Sequence, residues 1–145
     1  MEIKRLSRED YTFVYSKVPR LCVDMIVRNE KGEILLIERT IDPGKGMWHF
    51  PGGTVLRGES LLQAMRRILK EETNLDIIES SIIGVMDFYE EDNPYFHTVS
   101  NVFEVKTEKG KLSGSFQGEN LKYFNRLPEK IIPEQKEFIA SYNLI

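Results

Sequence analysis

The chain predicts an α/β fold: a mixed β-sheet sandwiched between helices in an α/β/α arrangement, built as a single domain over residues 1–145. Two features of the pattern predict it. β-branched apolar runs stand both before and after one amphipathic helical segment that opens at Ser60. A second helical segment opens at Pro133, close to the C-terminus. The size agrees, because 145 residues with 41% hydrophobic and 30% charged content build one core and hardly two.

Residues 1–19 are polar with scattered aromatics and read as a short edge strand or an arm. Residues 21–28 read as a strand, and residues 33–39 as its hairpin partner. Between them Asn29-Glu30-Lys31-Gly32 is turn chemistry. Residues 41–47 hold Pro43, Gly44 and Gly46 and predict a loop, followed by a short element at 48–50 and the breaker Pro51-Gly52-Gly53. Ser60 with Gln63 three residues later is a capping-box pattern. Leu61, Ala64, Met65, Ile68 and Leu69 keep helical spacing, so this face turns toward the sheet. Asn74 is a credible stop, because Asn tolerates the left-handed conformation. Strand material follows at 77–88 and 95–105, a turn at 109–111 and a short strand at 121–124. Residues 127–132 read as irregular and residues 134–142 as the final helix.

Composition narrows the function classes. The net charge of -3 and pI near 5.5 give little attraction to nucleic acid or an anionic membrane. No apolar run approaches the roughly 20 residues that span a bilayer, and the first ten residues lack the apolar core of a signal peptide. A cytoplasmic setting is the expectation. The lone cysteine, Cys22, excludes an intrachain disulfide and a thiolate metal cluster, and its apolar surroundings make it a small core side chain. His49 and His97 are too far apart in sequence for a zinc pattern.

The chemistry concentrates in residues 53–75, GTVLRGESLLQAMRRILKEETNL. A glycine turn and a short loop lead into a helix that carries Arg67, Glu71 and Glu72. Neighbouring helical residues point about 100° apart, yet both carboxylates can approach a cation beside the helix flank. Mg²⁺ takes hard oxygen ligands and keeps waters and substrate phosphates in its shell. Gly53 could add a backbone carbonyl where a side chain would crowd the ion. Arg67 can meet Glu71 one turn on, or reach Glu59 and lock the loop to the helix. Taken singly, these residues read as solvated surface, a surface ion pair of about 0.2–1 kcal/mol and a turn. Their combination is far more specific.

That combination resembles the signature of the Nudix hydrolase family: a glycine, five residues, Glu, seven residues, Arg-Glu, an aliphatic, any residue, Glu-Glu, any residue, Gly and an aliphatic. Gly53, Glu59, Arg67, Leu69, Glu71, Glu72 and Leu75 match in place. FPGG (50–53), ILLIER (34–39) and GKGMWHFPGG (44–53) are also similar to the family, and the likeness runs over residues 20–130. Two positions depart: Ile68 stands where the glutamate after the arginine belongs, and Asn74 replaces the late glycine.

The resemblance implies a Nudix-like sandwich and a Mg²⁺-dependent hydrolase, with Mn²⁺ as a possible substitute. Water would attack the diphosphate of a nucleoside diphosphate linked to another moiety. Glu71, Glu72 and the Gly53 carbonyl are the implied metal ligands. Glu119 is implied as a further ligand or the base, with Gln117 as a fallback ligand. Arg39 would grip diphosphate oxygens in a bidentate fashion, and Glu59 with Arg67 would support the loop. A homodimer is also implied. In many members the glutamate missing at Ile68 orients or deprotonates the attacking water, so the chain is either an enzyme with its base elsewhere or a catalytically weak nucleotide-binding module. The GDP-mannose mannosyl hydrolases are similar in having an aliphatic residue after the box arginine, an early aspartate matched by Asp24 and an arginine matched by Arg39. That likeness implies the alternative of a glycosyl cut on a nucleotide sugar. FQGENLKYF (116–124), however, has no histidine where that subgroup keeps its base, and Glu71 is retained.

Of the remaining candidates, His49 alternates with Trp48 and Phe50, so a strand sends it to the opposite side. Trp48 reads as core. His97 reads as a strand-surface residue, with a substrate cleft as the sharper reading. Asp87, Tyr89, Glu90, Glu91 and Asp92 read as a solvated loop that could otherwise select the leaving group or rim an interface.

Overall fold

A computed structural model describes residues 4–40, 44–91, 97–110, 112 and 120–145. In chain order the elements are α1 (Arg8–Tyr15), β1 (Arg20–Arg28), β2 (Ile34–Glu38), β3 (Trp48–His49), β4 (Gly52–Thr54), α2 (Leu61–Thr73), β5 (Ile77–Tyr89), β6 (His97–Thr107), β7 (Asn120–Phe124) and α3 (Pro133–Ser141). The strands form one sheet in the order β3-β2-β1-β6-β5, with β4 paired to β1 and β7 to β2. β1 and β6 run parallel while the other pairings are antiparallel, so the sheet is mixed as expected.

The central strand explains why residues 22–27 are apolar on both sides apart from Asp24. Side chains alternate across a strand, and here both faces are covered. Val23, Met25 and Val27 pack with Ala64, Met65, Ile68 and Leu69 of α2. Ile26 joins Ile34, Leu36, Phe50 and Val102 against Phe138 and Ile139 of α3. The result is the α/β/α sandwich, with its two apolar layers meeting at β1.

Local signals set the ends of α2. Ser60 Oγ accepts from the Gln63 amide at 3.1 Å, and the Gln63 side chain accepts from the Ser60 amide at 2.8 Å, so the capping box forms. Asn74 ends the helix at φ 65°, and its amide donates to the Lys70 carbonyl. In the β1–β2 hairpin, Asn29 Oδ1 accepts from the Lys31 and Glu33 amides, 3.0 and 2.9 Å away.

The N-terminal expectation is corrected. Residues 8–15 are helical rather than an edge strand or an arm. Ser7 caps the helix by accepting from the Asp10 amide at 3.1 Å, and Glu9 and Asp10 lie in its first turn, where carboxylates favour the helix dipole. The aromatics that suggested a strand are Tyr11 and Tyr15, one helical turn apart and edge to face at 4.7 Å. Among the described residues no helix is long and apolar enough to cross a membrane.

The stop at Asn74 yields a stability prediction. Replacing Asn74 by Val forces a β-branched residue into the left-handed region and is expected to cost about 1–2 kcal/mol in urea unfolding, whereas Asn74→Gly should be nearly neutral. Equal stability of the two variants would contradict this account of the helix end.

Candidate active site

The signature residues come together along the flank of α2, and three contacts place them. Arg67 grips Glu59 with two nitrogens, Nε to Oε2 at 2.8 Å and Nη2 to Oε1 at 2.9 Å. The same Nη2 donates to the Thr54 carbonyl at 3.0 Å. Glu59 Oε1 in turn accepts from the Leu56 amide at 2.8 Å. Arg67 therefore takes the locking role, and its contact with Glu71 is a looser 3.8 Å. Hydrogen bonding from Arg67 is the main cause holding the Glu59 carboxyl below its usual range, and hydrogen bonding to Glu59 raises the Arg67 guanidinium.

The lock brings β4 beside α2. Glu72 Oε1 accepts from the Gly52 amide at 3.1 Å. Gly52 has no room for a larger residue: a Cβ there would lie 2.2 Å from Asp24 Oδ1 and 2.7 Å from the Val23 carbonyl oxygen. Gly53 follows, and a Cβ on it would stand 3.4 Å from Ile68 Cδ1. Ile68 is itself 4% exposed and belongs to the apolar layer under α2.

These residues border a cleft of about 790 Å³ whose wall includes Gly52, Gly53, Arg67, Ile68, Glu71 and Glu72. Arg39 and His49 face it from the neighbouring loop and β3. The Arg39 side chain passes over Gly44, and the Gly46 amide donates to the Arg39 carbonyl at 2.7 Å. His49 Nδ1 lies 2.7 Å from the Phe50 carbonyl, which places the proton on that nitrogen. Trp48 and Phe50 turn into the opposite layer, as their alternation with His49 predicts. A second hollow of about 940 Å³, bordered by Arg28, Glu79, Glu104 and Lys106, contains none of the candidate residues.

Several candidates lie elsewhere. Asp24 is buried under Gly52 and does not border the cleft. It accepts a hydrogen bond from Ser100 Oγ. Burial pushes its carboxyl up to about 7, against smaller opposing effects of Ser100 and Arg20. His97 stands on the sheet surface, 3.5 Å from Asp87 and edge to face with Tyr89. Cys22 is 3% exposed, as a core cysteine should be, and burial pushes its thiol up. Glu119, Gln117 and Asp92 lie outside the described residues.

The cleft also has a wall that sequence reasoning missed. Arg5, Leu6, Tyr11 and Tyr15 border it from the N-terminal side. Arg5 Nη2 reaches both oxygens of Glu71, at 2.8 and 2.6 Å. The available signals were the Ser7 cap, which fixes where α1 begins, and the one-turn spacing of the two tyrosines.

Among the described residues no three His, Cys, Asp or Glu side chains are grouped to hold a metal. Glu71 and Glu72 supply two carboxylates on one cleft, and a guanidinium already rests on Glu71 as a stand-in cation. These donors fit a hard divalent ion that completes its shell with water and substrate oxygens.

The helix flank of the sandwich presents two carboxylates beside the glycines of β4 on one cleft. The NUDIX domain pattern matches residues 18–142, and the chain belongs to this family. It is a Nudix-type pyrophosphohydrolase. It is 30% identical to the low-salt glycan biosynthesis protein Agl8 of Haloferax volcanii, over 93% of this chain and 89% of that protein. It is 34% identical to an ADP-ribose pyrophosphatase of Methanocaldococcus jannaschii, over 86% of this chain and 73% of that one. Its fold matches the MutT NUDIX hydrolase structure from Burkholderia pseudomallei with a TM-score of 0.76, at 23% identity over 86% of this chain and 98% of that chain.

Asp24 gives the fold a pH signature. Between its ordinary value of 3.8 and about 7, the folded protein binds this proton more tightly than the unfolded chain. The contribution of Asp24 to stability is therefore greatest at the acid end and declines as pH rises through that window, then levels off. Glu59 and other paired carboxylates act in the opposite sense, so the comparison must be with D24N. The stability of the parent relative to D24N, followed by thermal unfolding, should fall between about pH 4 and pH 7. Parallel curves would contradict a buried, proton-retaining Asp24.

Proposed function

We propose that the protein is a Mg²⁺-dependent hydrolase of a nucleoside diphosphate linked to a second moiety, cutting by attack of water on the diphosphate. The observation that carries this reading is the single cleft shared by Glu71, Glu72, Gly52 and Gly53 of β4, and Arg39. The relative named as an ADP-ribose pyrophosphatase supports the substrate class.

Glu71, Glu72 and the Gly53 carbonyl would hold the metal, with Glu119 as the proposed further ligand or base. A bound divalent ion supplies charge shielding for the phosphates and acidifies a bound water, and Mn²⁺ can stand in for Mg²⁺. Arg39 steadies the diphosphate through its planar fork. Glu72 is oriented by the Gly52 amide, and the Arg67–Glu59 pair keeps that amide in place. Ile68 carries no proton-accepting group, so the base is drawn from elsewhere in the cleft. The small-molecule substrate leaves nucleic acid outside the proposed activity.

A second reading has its own observation. Ile68 closes the helix flank with hydrocarbon beside Gly53, where an acid would otherwise serve water attack on phosphorus. Together with the relative named for glycan biosynthesis, this favours a glycosyl cut on a nucleotide sugar. Retention of Glu71 favours the diphosphate cut, which we place first.

A panel of nucleoside triphosphates, ADP-ribose and nucleotide sugars in oxygen-18 water, with products identified by mass spectrometry, tests both. Label in a phosphate product is expected. Label in free sugar beside an intact nucleoside diphosphate establishes the second reading. E72Q is expected to lower kcat by roughly 100-fold or more with an unchanged melting temperature. A rate equal to the parent would remove Glu72 from the metal site.

A further inference from the structure

The N-terminal segment supplies a cation to the cleft that the family signature does not include. Arg5 spans 66 positions of sequence to reach Glu71, with one nitrogen on both carboxylate oxygens. The helix that follows it is anchored. Ser7 caps α1 two residues further on, and the Tyr11 hydroxyl accepts from Arg20 Nη1 at 2.5 Å, which fastens α1 to β1. Arg5 lies two residues before the cap of that anchored helix, and its side chain borders the cleft.

The same contact sets two demands against each other. Glu71 cannot offer both oxygens to a guanidinium and also serve a metal fully. The pair is exposed, with side chains 62% and 48% accessible, so it is weak enough to exchange. Arg67 is spent on Glu59 and Thr54. A guanidinium displaced from Glu71 therefore stays tethered at the mouth of a cleft where the substrate brings two phosphates.

We propose that Arg5 is a further substrate-binding residue: it neutralises Glu71 in the metal-free protein and turns onto the diphosphate once a divalent cation takes that carboxylate. This rests on the metal and diphosphate reading above. It makes Arg5 a competitor of the metal and a helper of the nucleotide, an opposition that a merely structural side chain would not produce. The exchange also gives an order: cation first, then nucleotide.

The test uses the full chain, with the variants R5A and R5K checked against the parent by thermal unfolding. Mn²⁺ alone is titrated in while the resonance of free Mn²⁺ is followed. ADP and GDP are then titrated calorimetrically with Mn²⁺ present. R5A is expected to bind Mn²⁺ roughly two- to fivefold more tightly than the parent, and the nucleoside diphosphates about tenfold more weakly. R5K keeps the charge without the fork and should fall between the two in nucleotide affinity. Unchanged or weaker Mn²⁺ binding in R5A, or unchanged nucleotide affinity, overturns the proposal. Absence of Mn²⁺ binding in the parent is a separate result and overturns the metal reading together with this one.

Discussion

The working geometry depends on one ion pair. Glu59 sits with its side chain only 2% accessible, opposite Arg67 at 20%. A carboxylate removed from water to that degree needs its partner, because a buried unpaired charge is far more costly than an exposed one. Arg67 meets that need and, with the same end group, holds the Thr54 carbonyl. The loop between β4 and α2 is thus clamped to the helix it precedes. The clamp works with the pairing of β4 to β1 to set the Gly52 amide beside Glu72.

Packing imposes a second constraint from below. Gly52 lets β4 lie against Asp24 at a separation a side chain would not allow, and Gly53 beside it packs against Ile68. Ile68 then has two duties. It fills the apolar layer beneath α2 and forms part of the cleft wall. Hydrocarbon at that position improves the seal between helix and sheet and removes a proton acceptor from the site. Asp24, one layer down, keeps its proton longer than an ordinary carboxyl, which lowers the electrostatic cost of burying it under β4.

Much of this was legible in the sequence because the signals are local. The capping box at Ser60, the left-handed stop at Asn74, the Asn29 turn and the two-sided apolar run of β1 each act within a few residues, and each formed. Spacing alone did not decide whether Arg67 pairs with Glu59 or Glu71; only the family resemblance implied Glu59. Both lie within reach, and only the fold of the loop decides. α1 was missed because its aromatics imitate strand composition and its periodicity spans barely two turns. The contact between Arg5 and Glu71 has no local signal at all, since it exists only after α1 has been fastened to β1 by Tyr11 and Arg20. Asp24 stood out as a polar residue in an apolar strand, but its burial beneath Gly52 depends on the pairing of β1 with β4.

The most direct test of the account is anomalous diffraction from crystals grown with Mn²⁺ and a nucleoside diphosphate. The account predicts a manganese peak bound by Glu71 and Glu72 beside Gly53, with the diphosphate bridging from it toward Arg39. A peak elsewhere, or both carboxylates turned into solvent with nucleotide bound, would contradict it.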